Sequence, residues 1–380
     1  MFTLQVTGAL FVSAERSTET LEVAVTADGT IPRFMLRFDL DATPPAMATI
    51  SAATGDLEVI GDTTYSVTAP ALESIDDLAG VRAPAGFGVR VMPNEGPEDL
   101  TDRATALAFP PFDGWPTGPY VGLSGDTPTV ARFDGTGFET FAVSDGINGP
   151  DRNVSRLQFG PPDGSYGPFL FVCSASFGDG DGVFSVSSAG DFAIWYDFNN
   201  CNGITFDRTG VAGDPGFLPA MYLNRNSDNM VRVDRMATPT TLTTGLSWGG
   251  SGHRLYAAEH PAFPTGLWLL FLGTDPSYDD GYLWNATVAD PWPTAPEVLL
   301  PVLNGPRAVV LSDAVPWGDL VLILLGGTGE LRAYRPDWTS FVVMDGITGG
   351  SDAVMGPDER VYIVERSLGR VLVLRPRRGA

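Results

Sequence analysis

Lysine is absent from this chain of 380 residues, so all 23 of its basic side chains are arginine. They stand against 46 aspartates and glutamates, which gives a formal net charge of -23. Proteins that bind nucleic acid neutralise phosphates with clustered basic side chains, so this charge balance excludes that class. The missing lysine also excludes catalysis through a lysine Schiff base.

Two compatible explanations fit a lysine-free chain. A genome rich in G and C disfavours lysine codons, and an acidic surface that uses only arginine stays soluble in saline or extracellular surroundings. We therefore predict an extracellular or cell-surface protein. The first residues, Met-Phe-Thr-Leu-Gln, show neither the charged nor the apolar region of a signal peptide.

Cysteine and long apolar runs are scarce as well. Cys173 and Cys201 are too few for a disulfide framework or a zinc site. The sequence leaves open whether they pair, as in an exported chain, or stay as two buried thiols. No apolar run approaches the roughly 20 residues of a membrane-spanning helix, so we predict no membrane insertion.

Short alternating apolar and polar runs make up residues 1–75, and turns such as Ala27-Asp-Gly-Thr join them. Such alternation predicts strands with one buried and one wet face, as in a small β-sandwich-like module. A segment rich in Pro and acidic residues follows it, and we predict a linker over 76–85.

A repeat begins near residue 86. The most apolar strand of each unit starts near residues 120, 169, 217, 267, 320 and 361, at steps of 41 to 53 residues. Turn sequences repeat with it, since Ser144-Asp-Gly-Ile-Asn-Gly and Met344-Asp-Gly-Ile-Thr-Gly lie 200 residues apart. Six units of about 50 residues, each with four short strands, are typical of a six-bladed β-propeller.

The last unit has three strands of its own, ending at RVLVLR (370–375). A further strand, Gly86–Met92, precedes the first unit. We predict that this strand completes the last blade and closes the ring, which removes an exposed sheet edge. The predicted fold class is thus all-β, with a six-bladed propeller over 86–380 and a small N-terminal β-sandwich-like domain.

The segment 350–376 resembles the repeat of NHL, YWTD and SMP-30/strictosidine-synthase-like six-bladed propellers. Pro357-Asp358-Glu359 stands where that repeat has Pro-Asp-Gly, and CNGITFDRTG (201–210) is similar to its opening Gly-Ile-x-Phe-Asp-x-x-Gly. The resemblance implies the same fold. Its motifs are shared by proteins of many functions, so it implies no single activity.

A ligand site is expected where the innermost strands of the blades converge on the central channel. Aligning these strands puts three arginines and one aspartate in one ring, and guanidinium groups match carboxylates in shape and charge. This ring predicts an anion-binding mouth; the alternative is that the arginines pair with neighbouring acids and hold the blades together. The candidate ligand-binding residues are Arg156, Arg254, Arg307, Asp352 and Asn202.

Two catalytic interpretations remain open at the same mouth. His253 is the weak candidate for a general base, because histidine titrates near neutral pH without a shift. Lactonases of the resembled kind hold a metal through Glu, Asn and Asp. Asn153, Asn202 and Asp352 could stand in such positions, but no glutamate falls in register.

Two acidic, glycine-containing loops predict calcium sites, since calcium takes oxygen ligands in loose geometry. The candidates are Asp179 and Asp181 in FGDGDGVF, and Asp279 and Asp280 in DPSYDDG. The alternative is that both loops are solvated acidic turns. Apart from calcium, we expect no cofactor.

Taken together, these patterns favour a binding or assembly propeller without catalysis, with a protein or carbohydrate partner. Two alternatives stay open. One is a propeller hydrolase or lactonase acting on an anionic or carbohydrate substrate at the channel mouth. The other is a structural subunit of a filament, sheath or virion.

Overall fold

The computed structural model describes the N-terminal strands named below by their backbone. It further describes residues 78, 80–84, 87–175, 180–197, 200–210, 218–225, 230–234, 239–241, 253–272, 281–286, 297–312 and 317–376. Within these ranges, residues 84, 225, 239–241, 253, 286 and 376 are described by backbone alone.

Nine strands lie in the described part of residues 3–84. They form a three-stranded sheet (β1-β5-β6), a four-stranded sheet (β2-β3-β4-β7) and a hairpin (β8-β9). Their bounds are β1 (Thr3–Thr7), β2 (Phe11–Arg16), β3 (Thr20–Thr26), β4 (Pro32–Asp39), β5 (Met47–Ser51), β6 (Leu57–Ile60), β7 (Tyr65–Thr68), β8 (Leu72–Ser74) and β9 (Arg82–Pro84). The packing of the first two sheets into a sandwich stays a prediction.

The segment predicted as a linker is partly structured. Its last residues are strand β9, and Arg82 also forms a backbone bridge with Asp345. The two backbone hydrogen bonds of that bridge are each 3.0 Å long, and Arg82 Nε donates to Asp345 Oδ1 at 2.8 Å. Asp345 directly follows the outermost strand of the fifth blade, β30 (Ser340–Met344), so these contacts attach the segment to that blade.

The chain continues through β10 (Phe87–Val91) into six four-stranded antiparallel sheets. Blades 1 to 3 comprise β11 (Ala104–Ala108), β12 (Tyr120–Leu123), β13 (Thr129–Phe133), β14 (Phe138–Val143); β15 (Arg156–Phe159), β16 (Leu170–Ser174), β17 (Gly182–Val186), β18 (Phe192–Tyr196); and β19 (Cys201–Asp207), β20 (Ala220–Arg225), β21 (Met230–Val233), β22 (Pro239–Thr241).

Blades 4 to 6 follow the same order. They comprise β23 (His253–Ala258), β24 (Gly266–Phe271), β25 (Gly281–Ala286), β26 (Glu297–Leu303); β27 (Pro306–Leu311), β28 (Val321–Leu325), β29 (Glu330–Tyr334), β30 (Ser340–Met344); and β31 (Gly350–Met355), β32 (Val361–Glu365), β33 (Arg370–Pro376). A single 3-10 turn, Arg366–Leu368, stands between β32 and β33.

The first strand of each blade is the innermost one. Strands β11, β15, β19, β23, β27 and β31 each lie beside the inner strand of the next blade, and β31 lies beside β11. This closed circuit makes the part of the chain from β10 onward a six-bladed β-propeller and confirms the predicted all-β propeller. In the part of the chain that the model describes, no helix has the length and apolar character to span a bilayer.

Strand β10 supplies the fourth strand of blade 6. It pairs antiparallel with β33, from Phe87 opposite Pro376 to Val91 opposite Leu372. Met92 N–H extends the ladder by donating to Val371 O at 2.9 Å. Two segments far apart in the chain thus share one sheet, and the ring is closed by backbone hydrogen bonds.

The core lies between neighbouring blades. The second strands β12, β16, β24, β28 and β32 are buried along their whole length. Both faces of such a strand are covered by adjacent blades, which explains why they are continuous apolar runs and not alternating ones. These are the runs from which the repeat is visible in the sequence.

Two tryptophans in the turns before second strands form hydrogen bonds to the next blade. Trp115 Nε1 in blade 1 donates to Pro168 O of blade 2 at 2.9 Å. Trp317 Nε1 in blade 5 donates to Glu359 O of blade 6 at 2.8 Å. Both rings are buried, at 6% and 1% exposure, so these two tryptophans hold blades together and are not surface platforms for sugars.

Candidate ligand site in the central channel

A β-bulge near the start of the inner strand decides which side chains share a level of the channel. In four blades the pairing with the second strand skips one residue. The skipped residues are Thr105, Asn202, Arg307 and Ser351. The extra residue is left out of the ladder, so the level of every following residue moves by one.

The strand pairing places three of the four charged residues of the predicted ring at one level and the fourth, Arg307, in a bulge. Arg156 pairs with Cys173, Arg254 with Leu270 and Asp352 with Val364, and these three stand at the same level. In blade 5 the residue at that level is Ala308, because Arg307 is in the bulge. The same bulge directly precedes Asp352 in blade 6, so the sequence alignment placed blade 5 one residue out of step with blade 6.

Asp352 is the centre of the arrangement and is completely buried. Its Oδ1 accepts hydrogen bonds from Arg156 Nη1 and, at 2.7 Å, from Arg254 Nη1. Its Oδ2 accepts the backbone N–H of Leu107 at 2.9 Å. Arg254 Nη2 also donates to Ser351 O at 2.9 Å. Charge-assisted bonds of this kind are stronger than those between neutral groups.

The three side chains come from blades 2, 4 and 6, so they brace alternate blades across the channel. Arg156 and Arg254 are 5% and 7% exposed, so the carboxylate faces two guanidinium groups away from bulk water. Burial has the largest single effect on the pKa of Arg156 and lowers it, but the charge of Asp352, the nearby Tyr256 and the hydrogen bond to Asp352 together leave that pKa raised. The cluster therefore carries one excess positive charge.

Side chains also cover the free edges of the inner strands. An inner strand has no partner on the channel side, and its backbone groups there need hydrogen bonds. In three cases a side chain of the preceding blade accepts the backbone N–H: Asp352 from Leu107 at 2.9 Å, Thr205 from Ala257 at 3.0 Å and Tyr256 from Val309 at 3.0 Å. The polar residues at these positions therefore satisfy backbone N–H groups of the neighbouring inner strand.

Two cavities lie along the channel with no lining residue in common. The upper chamber, at the end where the inner strands begin, has a volume of about 520 Å³ and contains Arg254 and Arg307. The lower chamber, at the end where they finish, has a volume of about 400 Å³ and contains Arg156. The buried Asp352 cluster stands between them, so the predicted arginines are divided between two chambers.

Polar groups dominate the lining of the upper chamber. Its charged residues in the described part of the chain are Asp102, Arg254, Arg307 and Arg366. Its hydroxyl and amide side chains are Thr105, Ser124, Asn153, Ser155, Asn202, Ser351 and Ser367. All six blades contribute, and Asn202 lies where the sequence predicted it.

Several of these residues escaped the sequence prediction. Arg366 and Ser367 belong to the 3-10 turn of blade 6, and Arg366 Nε donates to Asp102 O at 2.7 Å. Ser124 follows β12, and its hydroxyl accepts Val154 N–H at 3.0 Å. An alignment of inner strands does not include turns between other strands, and no motif marks them.

The remaining site predictions have different outcomes. His253 is the first residue of β23 and pairs with Phe271, but its side chain lies outside the described residues. Asp179, Asp279 and Asp280 also lie outside them. Asp181 is buried, and its Oδ2 accepts Asn200 N–H at 3.3 Å. The described residues contain no group of three or more potential metal ligands, and calcium binding stays a prediction.

The lactonase-like metal arrangement does not fit Asp352. Its two oxygens face two guanidinium groups and a backbone N–H, so a cation at this carboxylate would meet positive charge. The Asn153 amide donates to Ala175 O at 3.0 Å. The only other histidine, His260, is structural: Nε2 lies 3.1 and 2.9 Å from the carbonyls of Ser312 and Gly318, and Nδ1 accepts Ala262 N–H.

Cys173 and Cys201 form a disulfide with a Cα–Cα distance of 5.2 Å. Cys173 lies in β16 and Cys201 begins β19, so the bond links blade 2 to blade 3. Both residues are completely buried. The question that the sequence left open is answered in favour of pairing.

No family model matches the chain, and no curated protein sequence does. The similarity is to solved structures. An auxiliary nutrient-binding protein from Bacteroides thetaiotaomicron has a TM-score of 0.53 at 10% identity, over 97% of this chain and 98% of its own. The soluble aldose sugar dehydrogenase from Escherichia coli has a TM-score of 0.53 at 13% identity, over 77% of this chain and 100% of its own.

A third structure, a Bacteroides thetaiotaomicron protein of unknown function, has a TM-score of 0.53 at 12% identity. It covers 96% of this chain and 97% of its own length. At these identities the shared property is the fold. The resemblance to six-bladed propellers predicted from the repeat is thereby confirmed.

Proposed function

We propose that this protein binds a small anionic ligand rich in hydroxyl groups, such as a sugar acid, in the upper chamber and does not transform it. The observation that carries the proposal is the pair Arg254 and Arg307 in one polar cavity of a strongly acidic chain. Arginine is suited to this task because its planar donors fit a carboxylate in two-point contact.

Charge supports the anionic character of the ligand. Arg254, Arg307 and Arg366 outnumber the single described acid of the chamber, Asp102, although the whole chain has a net charge of -23. Asp352 offsets part of this surplus, because it pairs with Arg254 as well as with Arg156, and Arg307 and Arg366 supply the rest. A carboxylate in the chamber would lie beside these guanidinium groups, of which Arg254 is buried and Arg307 half-buried, and could accept charge-assisted hydrogen bonds from them.

The size and lining of the chamber support a hydroxyl-bearing body. Its volume of about 520 Å³ is in the range of small-molecule sites. Serine, threonine and asparagine side chains line it from several directions, and each can donate to or accept from a ligand hydroxyl.

An extracytoplasmic location belongs to the proposal. Disulfides persist in oxidising compartments, and the pair Cys173–Cys201 fits such a location. The fold neighbour described as an auxiliary nutrient-binding protein fits a role in ligand capture. A sugar acid is a ligand that such a protein would meet outside the cell.

Isothermal titration calorimetry of the purified protein tests the proposal. The probes are D-glucuronate, D-galacturonate, and the neutral D-glucose and D-galactose. We expect saturable binding of an acid that is at least about tenfold tighter than that of its neutral counterpart, because a charged hydrogen bond is lost. The substitution Arg307→Met should weaken binding of the acid by a similar factor.

The matched control is Arg132→Met, which removes an arginine that pairs with Glu139 on blade 1. Its affinity for the acid should equal that of the original protein. Equal binding of acid and neutral sugar, or unchanged affinity in Arg307→Met, would contradict the proposal. Turnover of lactones or glycosides by the purified protein would favour the hydrolase or lactonase alternative instead.

A further inference from the structure

The lower chamber differs from the upper one in chemistry. Aromatic and aliphatic residues of all six blades line it together with polar ones. The first group includes Phe109, Phe159, Phe206, Val309 and Met355, and the second Arg156, Gln158, Thr205 and Arg208. Phe159, Phe206 and Val309 are more than nine-tenths buried. A cavity of about 400 Å³ with such a wall favours a ligand with an apolar body, since burying that body removes it from water.

Arg156, which lines the chamber, has one N–H group without a hydrogen-bond partner among the described residues. Arg156 is 5% exposed, and its Nε–H has no acceptor among the described residues. Its Nη1 is engaged by Asp352, and its guanidinium lies 5.4 Å from the centre of the Tyr256 ring. Arg156 lines the chamber, so its guanidinium offers a buried, charged donor to an anionic group of a ligand there.

Other polar groups in the lower chamber lie near the rim or are already occupied. The Tyr256 hydroxyl accepts Val309 N–H, and Thr205 Oγ1 accepts Ala257 N–H. Arg208 is exposed and adds positive charge at the opening. The chamber thus offers one buried cationic residue, Arg208 at the opening, and a lining in which apolar and polar groups both take part.

We infer that the lower chamber is a second binding site, separate from the upper one, for a small carboxylic acid with an aromatic or branched aliphatic body. The carboxylate accepts a charge-assisted hydrogen bond from the Arg156 guanidinium, and the body packs against the aromatic and aliphatic residues of the lining, Met355 among them. The Asp352 cluster, which carries one excess positive charge, is balanced when this acid binds. This site does not depend on the ligand proposed for the upper chamber.

Calorimetry with 3-phenylpropionate tests the second site. The comparison probes are the neutral 3-phenylpropanamide, which keeps the apolar body, and acetate, which keeps only the charge. We expect 3-phenylpropionate to bind at least about tenfold more tightly than either. Met355→Trp fills the chamber without touching the ion cluster, and it should abolish this binding while leaving the melting temperature close to that of the original protein.

Ser155→Trp is the matched control, because Ser155 lines the upper chamber. It should block the sugar acid and leave 3-phenylpropionate binding unchanged, so the two sites are distinguished by opposite variants. Arg156→Met should lower the affinity for the acid to that for the amide. Absence of saturable binding of 3-phenylpropionate, equal affinity for acid and amide, or unchanged affinity in Met355→Trp would overturn the assignment.

Discussion

At the scale of single residues, the most consequential side chain is Asp352. It is completely buried, and it connects blades 2, 4 and 6 through two guanidinium groups. Buried ion pairs contribute little net stability compared with apolar replacements, yet removing one partner leaves the others charged and unpaired. The same residue also stands between the two chambers, so we expect the fold and the proposed ligand binding both to depend on this carboxylate.

We predict that Asp352→Asn lowers the free energy of unfolding by about 3–5 kcal/mol. The amide keeps the size of the side chain but leaves Arg156 and Arg254 without a counter-charge. Urea denaturation followed by tryptophan fluorescence measures the change.

Glu139→Gln is the comparison for Asp352→Asn. The carboxylate of Glu139 pairs with Arg132 on the outer part of blade 1, where 40% of its side chain is exposed. An exposed ion pair contributes about 0–1 kcal/mol, so this variant should be nearly as stable as the original protein. Equal stability of the two variants would contradict the role given to Asp352.

At the scale of elements, β10 decides whether the ring is closed. It is the only strand of blade 6 that precedes the first blade in the chain, and it pairs with β33 along five residue positions. Without it, β33 would present an unpaired edge, and an open edge of this kind is a template for aggregation.

We predict that Arg90→Pro destabilises the propeller by roughly 2 kcal/mol or more. Arg90 is opposite Val373, and its N–H points to the same side as that of Met92, which donates to Val371 O. Proline removes this donor from the ladder. Thermal unfolding and light scattering measure the loss of stability and the onset of aggregation.

Arg90→Ala separates the strand effect from the loss of a charge. Arg90 is exposed, so alanine should change the melting temperature little and leave the protein monodisperse. If the proline and alanine variants melt and aggregate alike, the pairing of β10 with β33 is not what holds the ring closed.

At the scale of the whole molecule, several of the aspartates that make the chain acidic stabilise turns through hydrogen bonds. Asp134, Asp145 and Asp163 each accept backbone N–H groups two or three residues later, at distances of 2.7 to 3.0 Å. These hydrogen bonds are the main reason that the pKa of each carboxyl is lowered. Aspartate is favoured at such positions because it can hold its own turn.

We predict that stability is retained above about pH 4 and falls as the pH drops further. A carboxyl whose pKa is lower in the folded state stabilises the fold above its unfolded pKa of about 3.9, and this contribution is lost as the pH falls through the folded pKa. The triple variant with asparagine at positions 134, 145 and 163 should lose less stability between pH 7 and pH 3. Urea denaturation across this pH range measures the difference.

The control for the acid experiment replaces three exposed aspartates outside these turns, Asp113, Asp126 and Asp197. It changes the net charge by the same amount, so general relief of repulsion is equal in the two triple variants. If the control loses equally little stability between pH 7 and pH 3, then charge repulsion, and not turn hydrogen bonding, causes the loss of stability at low pH.

The sequence by itself determined the all-β class, the number of blades and the position of the second strands. These features follow from local chemistry: each second strand is covered on both faces, so it must be an unbroken apolar run such as Leu320–Leu325, and turn residues must separate it from its neighbours. The pattern repeats because the second strands are buried between neighbouring blades in the same way, and the repeat therefore predicts the fold.

Only the tertiary structure decided how the channel residues are grouped. Arg156, Arg254 and Asp352 are far apart in the chain and meet only because the ring closes. Arg307 is itself the bulged residue of β27, as Ser351 is in β31, and the sequence does not mark which residue of an inner strand is left out of the pairing. Pairing of Cys173 with Cys201 and the division of the channel into two chambers likewise depend on distances in space, which no periodicity along the chain contains.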